Sequence, residues 1–236
     1  METVAIMEQK QATIGDALVA YSGIAQTVVD TGADLIKSLL GEPMKVAGSM
    51  VSDQLYGWQL RQRITIAAKA KQLLDKRKIA PHSIATGFLL PFFEAAGNAE
   101  ESELQDMWAE LLASAVENDD AQHPVFIETL RKMSGVDAKL FRKIVSSLDS
   151  GLLFYANGQM EKRAAARLIA ISIIQMDGNS FAGNNCRPTV FGLEFALAIM
   201  PEHRIELSNR YNFVVAPLGR PPPLQVKTVG KPSDPA

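Results

Sequence analysis

A mainly α-helical, multi-helix bundle is the fold this sequence predicts, and three observations predict it. Residues 100–116 place Leu104, Met107, Trp108, Leu111, Leu112 and Ala115 at i, i+3, i+4, i+7, i+8 and i+11. That spacing is one apolar face of a helix, with Glu103, Gln105, Asp106, Glu110 and Ser114 opposite it. Apolar residues on both sides of this stretch repeat with the same period, and Pro or Gly punctuates between the runs. Finally, 47% hydrophobic and 21% charged residues over a 236-residue chain suit a globular protein with a sizeable core. To the bundle the sequence adds room for a small winged-helix-like C-terminal subdomain and a disordered proline-rich tail.

The elements follow in order. Residues 1–42 form an amphipathic helical segment. Ile14, Ala17, Leu18, Tyr21, Ala25, Val28, Val29, Leu35, Ile36, Leu39 and Leu40 make its apolar stripe. Its polar face is Ser, Thr, Gln and Asp rather than the Lys and Arg of a membrane-surface helix, so protein packing is favoured over membrane contact. Pro43 opens a second helix running to about Arg77, with Trp58, Ile64, Ala67, Ala68 and Leu74 inward and Gly48 and Gly57 as weak points. Arg61, Arg63, Lys69, Lys71, Lys76 and Arg77 lie along its second half. They read as a solvated face or, more sharply, as an interaction patch for nucleic acid or anionic lipid.

Ser83 is placed to cap the next helix, which carries Ile84, Phe88, Leu89, Phe92 and Ala96 inward and which Pro91 should kink or divide. Asn98 is the expected N-cap of the central helix, and Glu100, Glu101 and Glu103 oppose the positive end of its dipole. A polar loop at 118–122 leads to His123-Pro124 and a helix with Phe126, Leu130 and Met133. Ser134-Gly135 breaks it, and Asp137 caps one with Leu140, Phe141, Ile144 and Leu148. These elements, 43–150, form the central core. Residues 151–157 read as a strand or a helical turn, 159–176 as helix, 177–187 as a glycine- and asparagine-rich loop. Pro188 then starts a last helix with Phe191, Phe195, Ala198 and Ile199, which Pro201 closes. A short strand at 205–215 completes a helical or α+β subdomain over 151–215, and 216–236 is an extended tail.

The chemistry is sparse. Cys186 is the one cysteine, so neither an internal disulfide nor a multi-cysteine zinc site can form. His82, His123 and His203 lie in separate segments without metal-ligand spacing, and no nucleophile elbow, P-loop or dinucleotide fingerprint is present. Trp58 and Trp108 sit on apolar stripes and read as core. The expectation is a non-enzymatic protein without cofactor. The start of the chain lacks a signal-peptide pattern and no run of about 18 apolar residues occurs, so a cytoplasmic location, peripheral to the inner membrane at most, is expected. A net charge of −2 argues against a general nucleic-acid binder.

The run LLPFFEAAGNAEESELQDMWAELLASAV, followed by HPVFIETLRKMSGVDAKLF, resembles the Abi-alpha family, named for abortive infection. Glu103, Leu104, Gln105, Trp108, Ala109, Leu111, Leu112, Ala113 and Ala115 carry the likeness in the central helix. His123, Pro124, Phe126, Ile127, Ser134, Asp137, Ala138 and Leu140 carry it beyond, and Thr189, Gly192 and Phe195 in the last helix. The resemblance spans roughly residues 40 to 200. Its matching positions are apolar or capping, so it implies a shared fold, with no catalytic residue to transfer. It further implies a component of bacterial antiphage defence, and the wide apolar stripe of residues 14–40 suggests action through a protein partner, a homo-oligomer or membrane contact. A nucleic-acid-binding regulator using the winged-helix-like part is the alternative.

Overall fold

The computed structural model describes residues 26–40, 54–149, 154–156, 158–176 and 185–203. Helix α1 (Gln26–Leu40) is the described part of the N-terminal stripe. It buries Val29, Gly32, Leu35 and Leu39, a single face that packs chiefly on α2 (Gln54–Arg77). Gly32 is required there: a Cβ would overlap the carbonyl oxygen of Ile64, so the two backbones touch through the glycine. The portion of the expected stripe at 14–25 and the second helix's expected start at 43–53 lie outside the described residues. Helix α2 runs unbroken through Gly57 and buries Ile64, Ile66, Ala67, Ala68, Ala70 and Leu74. It stops in a Schellman turn, with Ile79 N–H bonded to Leu74 O at 2.9 Å and Lys78 in the left-handed region at φ 60°.

Helix α3 (Thr86–Ala96) corrects two expectations. Its N-cap is Ala85 without a side-chain bond, not Ser83, and Pro91 does not divide it. Pro91 and Gly87, the residue whose carbonyl loses its helical partner, are both exposed, so solvent can take that acceptor. The central helix α4 (Ser102–Glu117) is capped by Glu101 through backbone bonds alone, while Asn98 turns away and accepts from Gln59 Nε2 at 3.2 Å. Its apolar face is as expected, with Met107, Trp108, Leu111, Leu112 and Ala115 buried. The opposite face is not simply polar, because Gln105 and Ser114 are buried too. Helix α4 is thus enclosed on most of its circumference, and Trp108 meets the edge of Phe92 at 5.2 Å.

A 3-10 turn at Asp119–Gln122 precedes α5 (Pro124–Arg131) and α6 (Gly135–Asp149). Then β1 (Phe154–Tyr155), α7 (Gly158–Ala170), β2 (Ile174–Met176), β3 (Asn185–Pro188) and α8 (Val190–Ile199) complete the described chain, with a 3-10 turn at Pro201–His203. The strands form an antiparallel sheet in the order β1-β3-β2, with Phe154 opposite Cys186 and Gln175 opposite Arg187. Two boundaries differ from expectation. The helix expected over 159–176 ends at Ala170, because Ser172 takes φ 64° and Ile173 N–H closes onto Leu168 O, redirecting the chain into β2. Pro188 ends a strand rather than starting a helix. Thr189 is the cap, accepting from Gly192 N–H at 2.9 Å and donating to Ser172 O at 2.6 Å. Helix α8 returns to pack on α4, and its Phe195 sits between Phe126 and Phe141 at 6.0 and 5.6 Å. One hydrophobic cluster therefore runs from Leu35 to Met200. The expected strand at 205–215 and the tail lie outside the described residues.

Candidate functional site

Three of the six basic residues of α2 are committed to neighbouring elements. Arg63 Nε donates to the carbonyl of Phe93 at 2.8 Å, and burial lowers its pKa against the opposing pull of Glu94. Lys69 reaches Asp106 at 2.7 Å and Gln105 Oε1 at 3.2 Å. Lys71 pairs with Asp75 one turn along. Arg77 binds Glu110 and lies 3.8 Å from Glu117. Arg61 and Lys76 are exposed, with no carboxylate within 4.0 Å among the described residues. The stripe that reads as one patch in the sequence is, in space, divided: Arg63, Lys69 and Arg77 lie in a seam between α2, α3 and α4, and the other three do not.

That seam has a buried polar centre. Gln105, 9% exposed, donates to Gln62 Oε1 at 2.7 Å and to the carbonyls of Ala99 and Glu100 at 3.1 and 3.3 Å. Gln62, which the sequence did not single out, is buried with it. At the far end of the seam burial pushes the Glu110 carboxyl above its ordinary pKa. Arg77 opposes this shift and Glu202 adds to it. Ser114 Oγ and Arg77 Nη1 are buried there without a hydrogen-bond partner among the described residues.

Asp137 is the second focus. It caps α6 from the third position rather than the first: its Oδ2 accepts from Ser134 N–H at 2.9 Å and Ser134 Oγ at 2.8 Å, and Ser134 Oγ accepts in return from Asp137 N–H. At 1% exposure it also receives Arg167 of α7 through Nε at 2.9 Å and Nη2 at 2.7 Å. The carboxylate raises the Arg167 pKa. The capping pattern was visible in Ser134-x-x-Asp137; the ion pair, spanning two helices, was not.

The remaining motif residues have structural positions. His123, exposed, caps α5 by accepting from Val125 N–H at Nδ1, 3.3 Å away, and Pro124 follows at the first helical position. Leu104 is partly buried against the core. Glu103 pairs on the surface with Lys139 at 2.7 Å, which lowers the carboxyl pKa. Trp58 is half-buried, His82 is exposed, and the His203 side chain lies outside the described residues. Among the described residues, no group of three or more His, Cys, Asp or Glu is placed to hold a metal ion. Nor is any described helix long and apolar enough to cross a membrane. Cys186 is buried, and burial raises its thiol pKa.

Comparison with known proteins adds one finding. A protein-family model described as abortive infection alpha matches residues 60–187, more than half of the 236-residue chain. No curated protein and no solved structure matches it.

Proposed function

Because this chain belongs to the abortive infection alpha family, we propose that it acts in bacterial antiphage defence as a non-enzymatic helical protein. The observation that carries the proposal is the family match itself, which covers α4, α5 and α6 whole. The manner of action follows from α1. That helix packs chiefly on α2 through the face that carries Val29, Leu35 and Leu39, and a backbone bond from Ile84 N–H to Leu39 O at 3.2 Å ties its end to the chain before α3. An infection signal that lifts α1 uncovers Val29, Leu35 and Leu39 together with the α2 face beneath them, giving an apolar surface for a second copy, another protein or a membrane. Until then the protein is cytoplasmic or peripheral to the inner membrane.

The test is phage plating on bacteria expressing the intact chain, with host survival scored at high multiplicity of infection. Fewer plaques accompanied by host death support abortive infection. Unchanged plaque counts across a broad phage panel overturn the proposal.

A further inference from the structure

Three of the six α2 cations are in ion pairs and Arg63 holds a backbone carbonyl, which leaves Arg61 and Lys76 among the described residues; a second basic surface leaves three. Between residues 135 and 188 the sequence carries seven basic side chains against four acidic ones, within a chain whose net charge is −2. Arg167, Lys143 and Lys139 are paired with Asp137, Glu161 and Glu103. Lys162, Arg163 and Arg187 are exposed and have no carboxylate within 4.0 Å among the described residues.

Helix α7 arranges two of these cations on one face. It turns Ala164, Ala165 and Leu168 inward against α6 and β2. Gln159, Lys162, Arg163 and Ala166 recur at i, i+3, i+4 and i+7, and all four are exposed. An amide, two cations and a small residue on one free stripe have the composition of a helix that enters the major groove. The cations meet phosphates, the amide can read a base edge, and alanine permits close approach. A helix about 10–12 Å across fits the roughly 12 Å major groove of B-form DNA, whereas the A-form RNA groove is too narrow to admit it. The antiparallel pair β2–β3 stands beside α7 and presents Arg187. With its amide oxygen turned toward β3, Gln175 accepts from Arg187 Nε at 3.0 Å, holding the guanidinium on the exposed side of the strand pair.

We propose that the exposed face of α7, with Arg187 on β3, is a surface for double-stranded DNA. A membrane fits the same residues less well, since Ala164, Ala165 and Leu168 of α7 are spent on the core and Met160 is the one large apolar side chain of the helix left exposed. The proposal does not depend on the role in phage defence, because it concerns binding by the purified chain.

The experiment is fluorescence anisotropy of a mixed-sequence DNA duplex with the intact protein from 50 to 200 mM salt. Binding should weaken steeply as salt rises. Lys162→Ala/Arg163→Ala should weaken it about tenfold or more and lower the log–log salt slope by about two, one for each phosphate that is no longer neutralised. Arg187→Ala should act in the same direction. Arg61→Ala/Lys76→Ala, on the exposed part of α2, should leave binding unchanged. All five side chains are exposed, so folding is checked simply by an unaltered circular dichroism spectrum. No salt-dependent binding to the duplex, or equal binding by the Lys162/Arg163 variant, overturns the proposal. So does an α7-dependent preference for single-stranded RNA or anionic vesicles over the duplex.

Discussion

Gly32→Ala separates helix propensity from packing, because the two demand opposite signs. On propensity alone, alanine in place of a mid-helix glycine stabilises α1 by about 1 kcal/mol. Here the new methyl group overlaps the Ile64 carbonyl oxygen and lies 3.0 Å from Ile64 Cγ2 and 3.1 Å from the carbonyl carbon. The obstacle is backbone inside a helix and cannot swing aside. Helices α1 and α2 must therefore part by roughly 0.5–1 Å, which forfeits a quarter to a half of the dispersion across the gap. Val29, Leu35 and Leu39 are the buried large side chains of α1. At roughly 2 kcal/mol each they contribute about 6 kcal/mol to its docking, so the separation removes about 1.5–3 kcal/mol. Net of the propensity gain, α1 loses about 0.5–2 kcal/mol, a roughly 2- to 30-fold rise in its undocked population. Native-state hydrogen exchange of the α1 amides reads this directly. Ala33→Gly, on the exposed side of the same helix, is the control and should cost only the propensity term of about 1 kcal/mol. Slower exchange in Gly32→Ala than in the parent would refute the packing argument.

Three further outcomes follow from the charged and buried groups. Arg167→Ala leaves Asp137 buried with only Ser134 to hold it, and should cost about 2 kcal/mol in urea unfolding once the half-exposure of Arg167 is allowed for. Combined with Asp137→Ala, the two changes should cost clearly less than their sum; strict additivity would deny the coupling. Burial raises the Glu110 pKa, so the native state takes up its proton more readily than the unfolded chain does. Its contribution is fully present below the ordinary carboxylate value and is lost as pH rises through the raised one. The stability of the parent relative to Glu110→Gln should therefore fall as pH rises above the ordinary carboxylate value, and a flat difference would show that Arg77 cancels the burial effect. Cys186 is buried with a raised pKa, so a thiol reagent should modify the native protein at least about 100-fold more slowly than the urea-unfolded chain. Equal rates would mean that the β3 strand opens freely.

Helix existence was legible from apolar spacing, and most inward residues of α4, α5 and α6 lie where periodicity put them. What the sequence concealed has local physical causes. The end of α7 carries Ser172 where a glycine would have signalled a left-handed cap, so the helical reading ran on into β2. Lys78 takes the same left-handed turn without a glycine, yet the end of α2 falls at Arg77, where it was expected. Gln105 and Ser114 look solvent-facing because they are polar, yet α4 is surrounded, and Gln105 is tolerated inside because Gln62 and two carbonyls satisfy its amide. Lys69 and Arg77 of α2 could be counted but not paired, since their carboxylates lie over 30 positions away on another helix. For the same reason α7 was overlooked. Its two free cations are fewer than the six on α2, and only pairing in space shows that α2 is left with no more than two as well, while Arg187 of β3 stands beside those of α7.

The family match runs from residue 60 to 187 and so divides the molecule in a way that bears on both proposals. Helix α7, β2 and Arg187 lie inside it, whereas α1 and α8 lie outside. Helix α8 is nonetheless integral, since Phe195 fills the space between Phe126 and Phe141, and its removal would leave a cavity costing several kcal/mol. Helix α1 is a different case. It rests on α2 outside the aromatic cluster, and Gly32 sets how closely it can approach. A segment attached along one seam can leave without dissolving the core, because the docking energy of a few buried side chains is well below that of the whole hydrophobic cluster. Under the two proposals the DNA surface falls in the part of the molecule that stays folded and α1 is the part that leaves. A charge change on α7 should then alter DNA binding without loosening α1, and Gly32→Ala should do the reverse. Loss of both properties from either change would mean that the two surfaces are one device rather than two.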